Sequence, residues 1–297
     1  MRNRAFAVGP ALASSLWGGM YVVSKWGFAS IPPVTLSFLR LLLGAVTLLL
    51  IVRVTAPARV FTRREWGRFA GLGGLVALTI LTQFIGTDLT SASQGALLTV
   101  LTPVFTLILG VAIFGEPFTR RKLFGMGVAA LGTGLVFVSR YDITTIPTHN
   151  LLGVGCLLLA SIGWAGYTVW GKPLVRRYSA LEAATYSTMF AVPLVGVLVP
   201  FEFALRNSSL ASIHVTGPVI GAVLYLGVLS TAVAWYAWYK GLEFTDSGTV
   251  AVFFFAQPVV GTVLGVLVLG ESLGLGFLIG GVVMLSGIFL VSSARSD

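Results

Sequence analysis

Hydroxyl and amide side chains recur at helical spacing along two strongly apolar segments. In the first, Thr79, Thr82 and Gln83 are three and four positions apart, so a helix places them on one face. In the second, Thr99 and Thr102 have the same spacing. These groups form hydrogen bonds without carrying a charge, which suits recognition of a small polar molecule. Catalysis would need a nucleophile, an acid or a base within their reach, and we predict no catalytic residue.

The same hydroxyl groups have a second interpretation in which no ligand takes part. Thr and Ser commonly donate to a carbonyl one turn earlier in their own helix, and small residues let helices pack closely. Gln83 and Gln257 fit this interpretation less well, because a buried amide has a donor and an acceptor that both need partners. We therefore expect these two glutamines to face a cavity.

Aromatic side chains form the second part of the candidate site. Trp17 and Trp164 lie well inside apolar segments rather than near the ends, where tryptophans that anchor a membrane protein are found. The full set of predicted substrate-binding residues adds further aromatic groups and one leucine at the edge of the cavity. Its members are Trp17, Tyr21, Leu78, Thr79, Thr82, Gln83, Thr99, Thr102, Trp164, Tyr167, Trp235, Phe254 and Gln257.

Two prolines lie in the middle of apolar segments, where each removes one helical hydrogen bond. Pro103 frees the carbonyl of Thr99, and Pro258 frees that of Phe254. We expect these carbonyls to be able to accept from a substrate ammonium group, and a purely structural kink is the alternative.

Ionisable side chains are nearly absent from the interiors of the apolar segments. The ten acidic residues and the two histidines lie in connections or near segment ends. A single cysteine, Cys156, excludes a disulfide framework and a thiolate-rich metal site. Arg40 is the deepest charge, and we expect it to pair with a helix C-terminus or with Asp88. Binding of a substrate carboxylate is the alternative role.

The composition identifies the elements that must hold these residues. The chain has 297 residues, of which 56% are apolar and 10% charged, and its mean hydropathy is +0.95. Soluble domains are about 45–50% apolar and about 25% charged, so a soluble enzyme, a coiled coil and a disordered chain are excluded. We predict an all-α integral membrane protein with ten transmembrane helices. They cover 5–28, 34–52, 67–87, 92–114, 122–139, 151–171, 180–201, 215–239, 247–269 and 273–292.

The positions of Lys and Arg indicate the orientation of these helices. Most of the 19 basic residues lie at the chain start and in every second connection, as in the pairs Arg63–Arg64 and Arg176–Arg177. The positive-inside rule then places both termini in the cytoplasm. The net charge of +9 is therefore an orientation signal, and we expect no nucleic-acid partner. The start, MRNRAFAVGPALASS, resembles a signal peptide, but we expect an uncleaved first span.

Two stretches of the chain repeat later in the same order. LASSLWGGMYVVSK in the first segment matches LASIGWAGYTVWGK in the sixth, so Trp17 aligns with Trp164. A second block aligns Pro103 with Pro258, Gly125 with Gly280 and Gly132 with Gly287 in the fourth, fifth, ninth and tenth segments. The sequence therefore predicts an internal duplication.

The duplication predicts two five-helix halves, 1–145 and 146–297. Five spans per half would insert the halves in opposite orientations. The charges agree, because Glu116 is followed by three basic residues at 120–122, whereas Glu271 is followed by SLGLGF. Inverted repeats around a central site are typical of secondary transporters that work by alternating access.

Four stretches resemble the EamA family of the drug/metabolite transporter superfamily. They are WGGMYVVSK, PPVTLSFLRLLLGA, TPVFTLILGVAIFGEPFTRRKLFG and AQPVVGTVLGVLVLGESLGLGFLIGG. Within this family the chain is most similar to the YddG-type amino-acid exporters of bacterial inner membranes. The resemblance implies a ten-helix, basket-like fold, a cavity between the two halves, and outward movement of a small organic substrate.

Together these features predict a transporter of neutral or aromatic amino acids, with rings on tryptophans and charged ends on polar groups. Without a deep ionisable acid we expect facilitated diffusion and no proton coupling. Proton-driven efflux of organic cations is the alternative, because aromatic faces attract cations. The glycine-rich stretches 125–130 and 153–158 do not follow strands, so we expect no nucleotide, other cofactor or metal. We expect a monomer whose partners are its substrate and membrane lipid.

Overall fold

The computed structural model describes residues 5–57, 59–114, 120–140, 148–244, 252–270 and 273–293, and every regular element in these ranges is helical. The α-helices are α1 Ala5–Gly27, α2 Pro33–Thr55, α3 Arg63–Leu89, α4 Ala92–Leu98, α5 Thr102–Phe114, α6 Arg120–Arg140, α7 Thr148–Arg177, α8 Ala180–Gly196, α9 Val199–Leu205, α10 Gly217–Leu224, α11 Ala234–Phe244, α12 Ala256–Leu269 and α13 Leu275–Ser293. Short 3₁₀ segments cover Thr99–Leu101, Leu210–Ser212 and Val252–Phe255, and a π-helix covers Tyr225–Val233.

Several helices begin where a side chain satisfies free backbone amides. Thr62 and Glu65 form a capping box at the start of α3. At the start of α8, the Ser179 hydroxyl accepts from the amide of Glu182. Helix α2 begins at Pro33, which needs no amide partner at the first helical position. These caps set the residues at which the long apolar helices begin.

Six helical stretches among the described residues are long and apolar enough to cross a membrane, by length and composition. They are Pro33–Thr55, Arg63–Leu89, Ala92–Ile113, Asn150–Arg177, Ala180–Leu205 and Gly217–Gly241. Shorter apolar helices cover Leu123–Gly132, Ala256–Leu269 and Leu275–Gly287. The all-helical class and the presence of membrane-spanning helices are thus confirmed. Helices overlap each of the ten predicted segments, and that all ten cross the membrane stays a prediction.

The outer surface of the helices is apolar. Val54 is 86% exposed, Leu267 76% and Val282 64%. Soluble proteins rarely expose apolar surface in large continuous patches. This surface therefore suits contact with lipid chains.

The polar cavity lies where the two matched tryptophan helices meet the rest of the bundle. Helix α1 packs against α11 and α12, and α7 packs against α3 and α5. Helix α2 lies against α8, and α6 lies against α13. The main core surrounds Trp17 and Trp164 at the centre of these contacts.

Helices α6 and α13 pack closely at glycines on both helices, and these glycines make reciprocal contacts. A Cβ atom on Gly132 would lie 2.7 Å from the Gly280 carbonyl oxygen and 2.5 Å from the Met284 Cα. A Cβ atom on Gly287 would lie 2.6 Å from the Gly125 carbonyl oxygen. The sequence aligns Gly132 with Gly287 and Gly125 with Gly280, so matched residues make matched contacts. The backbones approach this closely only because side chains are absent.

Candidate functional site

A small internal cavity lies between α1, α2, α3, α7, α11 and two helices, α5 and α12, which each follow a 3₁₀ turn and contain Pro103 and Pro258. Its volume is about 30 Å³, enough for about two water molecules. The predicted site residues in its lining are Trp17, Thr79, Gln83, Thr99, Thr102, Trp164, Trp235, Phe254 and Gln257. The other lining residues are Met20, Arg40, Ile80, Ala160 and Ser161.

Two glutamines are joined by a chain of hydrogen bonds along one side of the cavity. Gln83 Nε2 donates to the Tyr21 hydroxyl at 2.7 Å, and that hydroxyl lies 2.5 Å from Thr99 Oγ1. Thr99 Oγ1 in turn lies 3.2 Å from Gln257 Oε1. In this assignment of the amides, no described residue uses Gln83 Oε1 or Gln257 Nε2. The network thus leaves one acceptor and one donor for a ligand.

Aromatic rings form a second part of the lining, the aromatic wall. Trp17 lies edge-on to Trp164, with ring centroids 5.1 Å apart. Trp164 is also edge-on to Trp235 at 5.4 Å, and Trp17 lies 5.7 Å from Phe254. Edge-to-face pairs of this kind stabilise one another and hold the rings in place. They give the cavity a rigid surface for an apolar or aromatic group.

Two buried polar atoms of the lining have no hydrogen-bond partner in the described part of the chain. They are Thr79 Oγ1 and Trp164 Nε1. A buried donor or acceptor left unpaired costs about 1–3 kcal/mol. Both atoms belong to residues that line the cavity, so a polar ligand that reached them would recover that free energy.

Arg40 supplies the positive charge of the lining, and its side chain is 1% exposed. Its Nε donates to Thr231 Oγ1 at 2.8 Å, and its Nη2 donates to the Ser230 carbonyl at 3.3 Å. Its Nη1 lies 2.6 Å from Met20 Sδ, and the guanidinium carbon lies 5.4 Å from the centre of the Phe84 ring. All four partners are neutral.

The π-helix Tyr225–Val233 provides acceptors for these donors. The Ser230 carbonyl accepts from Trp17 Nε1 at 2.9 Å as well as from Arg40. The Thr231 hydroxyl donates to the Leu226 carbonyl five residues earlier. The wider turn of a π-helix leaves carbonyls available to side chains, and such turns are frequent at functional sites.

Comparison with known proteins identifies the family of the chain. The model of the EamA-like transporter family matches the chain twice, at residues 6–138 and 151–293. The chain belongs to the EamA-like transporter family. The resemblance to the EamA family noted in the sequence is thereby confirmed, and the chain is a multi-pass membrane protein of a transporter family. The closer similarity to YddG-type exporters stays a prediction.

Relatives of this EamA-like chain align along nearly its whole length. It is 26% identical to an uncharacterized transporter of Archaeoglobus fulgidus, in an alignment of 287 residues that covers 96% of both chains. It is 24% identical over 281 residues to the uncharacterized transporter YoaV of Bacillus subtilis, covering 93% of this chain and 92% of that one. One crystal structure of a protein superposes with a TM-score of 0.72 at 17% identity, over 96% of both chains. That last likeness concerns the fold.

Four of the predicted site residues of the EamA-like chain lie outside the cavity lining. They are Tyr21, Leu78, Thr82 and Tyr167. Tyr21 lies behind the lining residues, and its hydroxyl connects Gln83 through Thr99 to Gln257. Thr82 donates to the carbonyl of Leu78 in its own helix at 2.7 Å, as the second interpretation of the hydroxyls expects. The Tyr167 hydroxyl lies 3.0 Å from Ser187 Oγ, behind the tryptophans. A substrate-binding role for the predicted set stays a prediction.

One expectation about this site is wrong. The Thr99 carbonyl is not free, because it accepts from the amide and the hydroxyl of Thr102, the latter at 2.6 Å. The 3₁₀ turn before Pro103 tightens the backbone and supplies these donors. The cavity itself is narrow, because large rings fill the space between the helices.

The expected partners of Arg40 are also corrected. Asp88 forms its ion pair with Arg206 at 3.2 Å. The C-terminus of α3 is bound by Lys25, whose Nζ donates to the carbonyls of Asp88 and Thr90, each at 2.7 Å. A cation at a helix C-terminus is favourable. Arg40 therefore belongs to the cavity, and its depth in the membrane was the sequence signal for that.

Contacts at both ends of the bundle join the first and second halves of the EamA-like chain. At one end Glu65 pairs with Arg177 at 3.0 Å, and Arg59 pairs with Glu182 at 3.0 Å. At the other end, besides the Asp88–Arg206 pair, Glu202 accepts from the Thr35 amide at 2.8 Å. The cavity thus lies between two sets of polar contacts.

Proposed function

We propose that this chain is a secondary transporter that exports neutral and aromatic amino acids by alternating access, as facilitated diffusion. The observation that carries the proposal is the lining of the cavity, where tryptophan rings face neutral amides, hydroxyls and one cation. An amino acid offers the complementary groups. Its side chain fits the rings, its ammonium group fits the free acceptors, and its carboxylate fits the donors.

Two inverted halves, 1–145 and 146–297, provide the moving parts in this proposal. The family model matches the two halves separately, which supports a duplication. The reciprocal glycine contacts between α6 and α13 support a two-fold relation between the halves. With ten spans, one chain contains both halves, so the proposed functional unit is a monomer.

The proposed location is the bacterial inner membrane, with both termini in the cytoplasm. The contact between Glu65 and Arg177 brings the start of α3 and the end of α7 to the same end of the bundle. Those helix ends carry Arg63, Arg64 and Arg176, which supports a cytoplasmic location for that end. Membrane lipid is the proposed surrounding partner, and no nucleic acid takes part.

Facilitated diffusion is favoured because the lining contains no group that exchanges protons near neutral pH. The cavity lining includes no Asp, Glu or His. The described acidic residues lie at the two ends of the bundle. Proton-coupled pumps use an ionisable residue within the membrane. Since about 30 Å³ is too small for an amino acid, binding must accompany an outward movement of the walls.

Proton-driven efflux of organic cations is the second candidate function. The aromatic wall favours it, because rings attract cations. Arg40 opposes it, because a buried guanidinium repels a second cation in the same narrow space.

The test is uptake into proteoliposomes of the purified chain. Labelled alanine, leucine, phenylalanine and lysine are offered without an ion gradient, with a planar aromatic dication as competitor. We expect saturable uptake of the neutral and aromatic amino acids that continues after the pH gradient is collapsed. Gln83→Leu should lower this uptake several-fold, because it removes the free acceptor. Thr82→Val, one position away and bonded to its own helix, is the matched control and should leave uptake unchanged.

Two outcomes would overturn the proposal. Uptake that stops when the pH gradient is collapsed would refute facilitated diffusion. Movement of the dication driven by a pH gradient, with no amino-acid uptake, would establish the second candidate function instead.

A further inference from the structure

We propose that Arg40 binds the carboxylate of the transported molecule and so restricts the substrates to carboxylates, an inference that rests on the transport function proposed above. It names the chemical class that the cavity selects. The inference predicts that amines without a carboxylate and simple organic cations are not substrates. The amino-acid side chain is left to the aromatic wall.

The first argument is the charge of the cavity. In the described ranges no carboxylate forms an ion pair with Arg40. The acidic residues that form ion pairs there do so with other cations, at the ends of the bundle. A buried charge without an opposite charge is strongly unfavourable, more so inside a membrane. An anionic ligand would supply the missing charge.

The second argument is the geometry of the guanidinium group. It has five N–H donors, and its contacts with Thr231, Ser230 and Met20 use three of them. The thioether of Met20 is a weak acceptor. Two donors on the terminal nitrogens remain, in a group that lines the cavity. A planar fork with free donors is suited to the two oxygens of a carboxylate.

The third argument is how Arg40 is held. Its Nε is fixed by the Thr231 hydroxyl, and the face of the Phe84 ring lies 5.4 Å from its central carbon. These neutral contacts orient the guanidinium without cancelling its charge. The rest of the lining is neutral, so a group of one negative charge fits better than a phosphate or a dicarboxylate. The acceptors at Gln83 and Thr79 complement an ammonium group in the same ligand.

A structural role for Arg40 predicts different behaviour. If Arg40 only bridges α2 and the π-helix, its substitution would lower stability and weaken all ligands equally. If Arg40 binds the carboxylate, its substitution must weaken the binding of carboxylates and must not weaken the binding of the matched amides. Selectivity between such ligands therefore separates the two roles.

The test measures binding through the fluorescence of the wall tryptophans. The purified chain is titrated with alanine, leucine, phenylalanine and 3-phenylpropionate, and with the amide of each. We expect the free carboxylate to bind about tenfold or more tightly than its amide for at least one pair. Arg40→Gln should remove that difference, and Arg40→Lys should keep part of it. Arg53→Gln, in the exposed end of the same helix, is the matched control and should behave as the wild type.

The outcomes are distinct from those of the transport assay. Equal binding of every acid and its amide by the wild type overturns the inference, and so does a folded Arg40→Gln chain that keeps the preference for acids. If Arg40→Gln does not fold, Arg40→Lys and the wild-type comparison still decide. If the wild type transports amino acids and their amides equally, the proposed function stands and this inference fails. If it transports no amino acid but binds 3-phenylpropionate through Arg40, this inference stands and amino-acid export fails.

Discussion

Trp164 shows at the residue scale how the cavity is prepared for a ligand. Its ring is held edge-on by Trp17 and Trp235, while its indole nitrogen is buried without a hydrogen-bond partner among the described residues. The nearby hydroxyl of Thr79 is also unpartnered. An unsatisfied donor raises the free energy of the cavity without ligand, and a ligand acceptor lowers it again.

This predicts the effect of Trp164→Phe, which keeps an aromatic ring and removes the N–H donor. Substrate binding should weaken by several-fold, because the lost hydrogen bond is worth about 0.5–1.5 kcal/mol. Thermal stability should change little, because the donor has no partner without substrate. The measurements are the KM of uptake and the unfolding temperature in detergent.

Trp170→Phe is the control for this substitution. Trp170 lies in the same helix but is 44% exposed, and it should leave KM unchanged. A Trp164→Phe chain with the KM of the wild type would show that the indole nitrogen does not contact substrate.

The sequence predicts some of these residues and not others, for a geometric reason. Helical spacing places Thr79, Thr82 and Gln83 on one side of α3, but the cavity is narrow and only two of the three line it. Nothing in the sequence states how wide a cavity is. The setting of Arg40 is equally inaccessible, because two of its partners, Ser230 and Thr231, lie about 190 residues later in the chain.

At the element scale, irregular turns rather than regular helices supply backbone groups that hold the side chains of the cavity. Apolar length predicts a helix over 215–239, and the structure has helices there. The π-helix inside it has no proline to mark it, so the sequence gives no sign of the carbonyl that receives Trp17 and Arg40. By contrast, Pro103 and Pro258 do mark two helices, α5 and α12, that begin after 3₁₀ turns.

The crossing of α6 and α13 predicts the effect of a single added methyl group. Gly132→Ala should destabilise the chain by about 1–3 kcal/mol, because the new Cβ would overlap the backbone of α13. Thermal unfolding in detergent should show a clearly lower midpoint.

Gly127→Ala tests the same helix at a position without this contact. A Cβ atom there would meet nothing within 4 Å. Because alanine is the better helix former, stability should stay equal or rise slightly. Equal loss of stability in both variants would refute the role assigned to the crossing.

At the scale of the whole molecule, polar contacts join the two halves of the chain at both ends of the bundle. Each end joins a residue of the first half to one of the second. If the halves rock against each other, these contacts break in turn. Their strength therefore biases the two conformations.

This predicts opposite effects for substitutions at the two ends. Arg206→Gln should favour opening at the Asp88 end and Arg177→Gln opening at the Glu65 end. Each exposed pair is worth about 0.2–1 kcal/mol, a shift of up to about fivefold in population. A cysteine placed at Thr79 in a Cys156→Ala chain reports opening through its labelling by impermeant thiol reagents applied to either side. The double exchange of Asp88→Arg with Arg206→Asp should restore the wild-type labelling, and the same bias from both single variants would contradict this account.

The small volume of the cavity also affects how many protons can leak across the membrane through the protein. A file of water across a hydrocarbon core of about 30 Å needs about ten molecules in hydrogen-bond contact, and this cavity has room for about two. Within the described part of the chain, protons therefore find no continuous path through this cavity. Vesicles containing the chain should hold a pH gradient as long as empty vesicles do, so a cell can keep this EamA-like protein in its membrane without draining its proton-motive force.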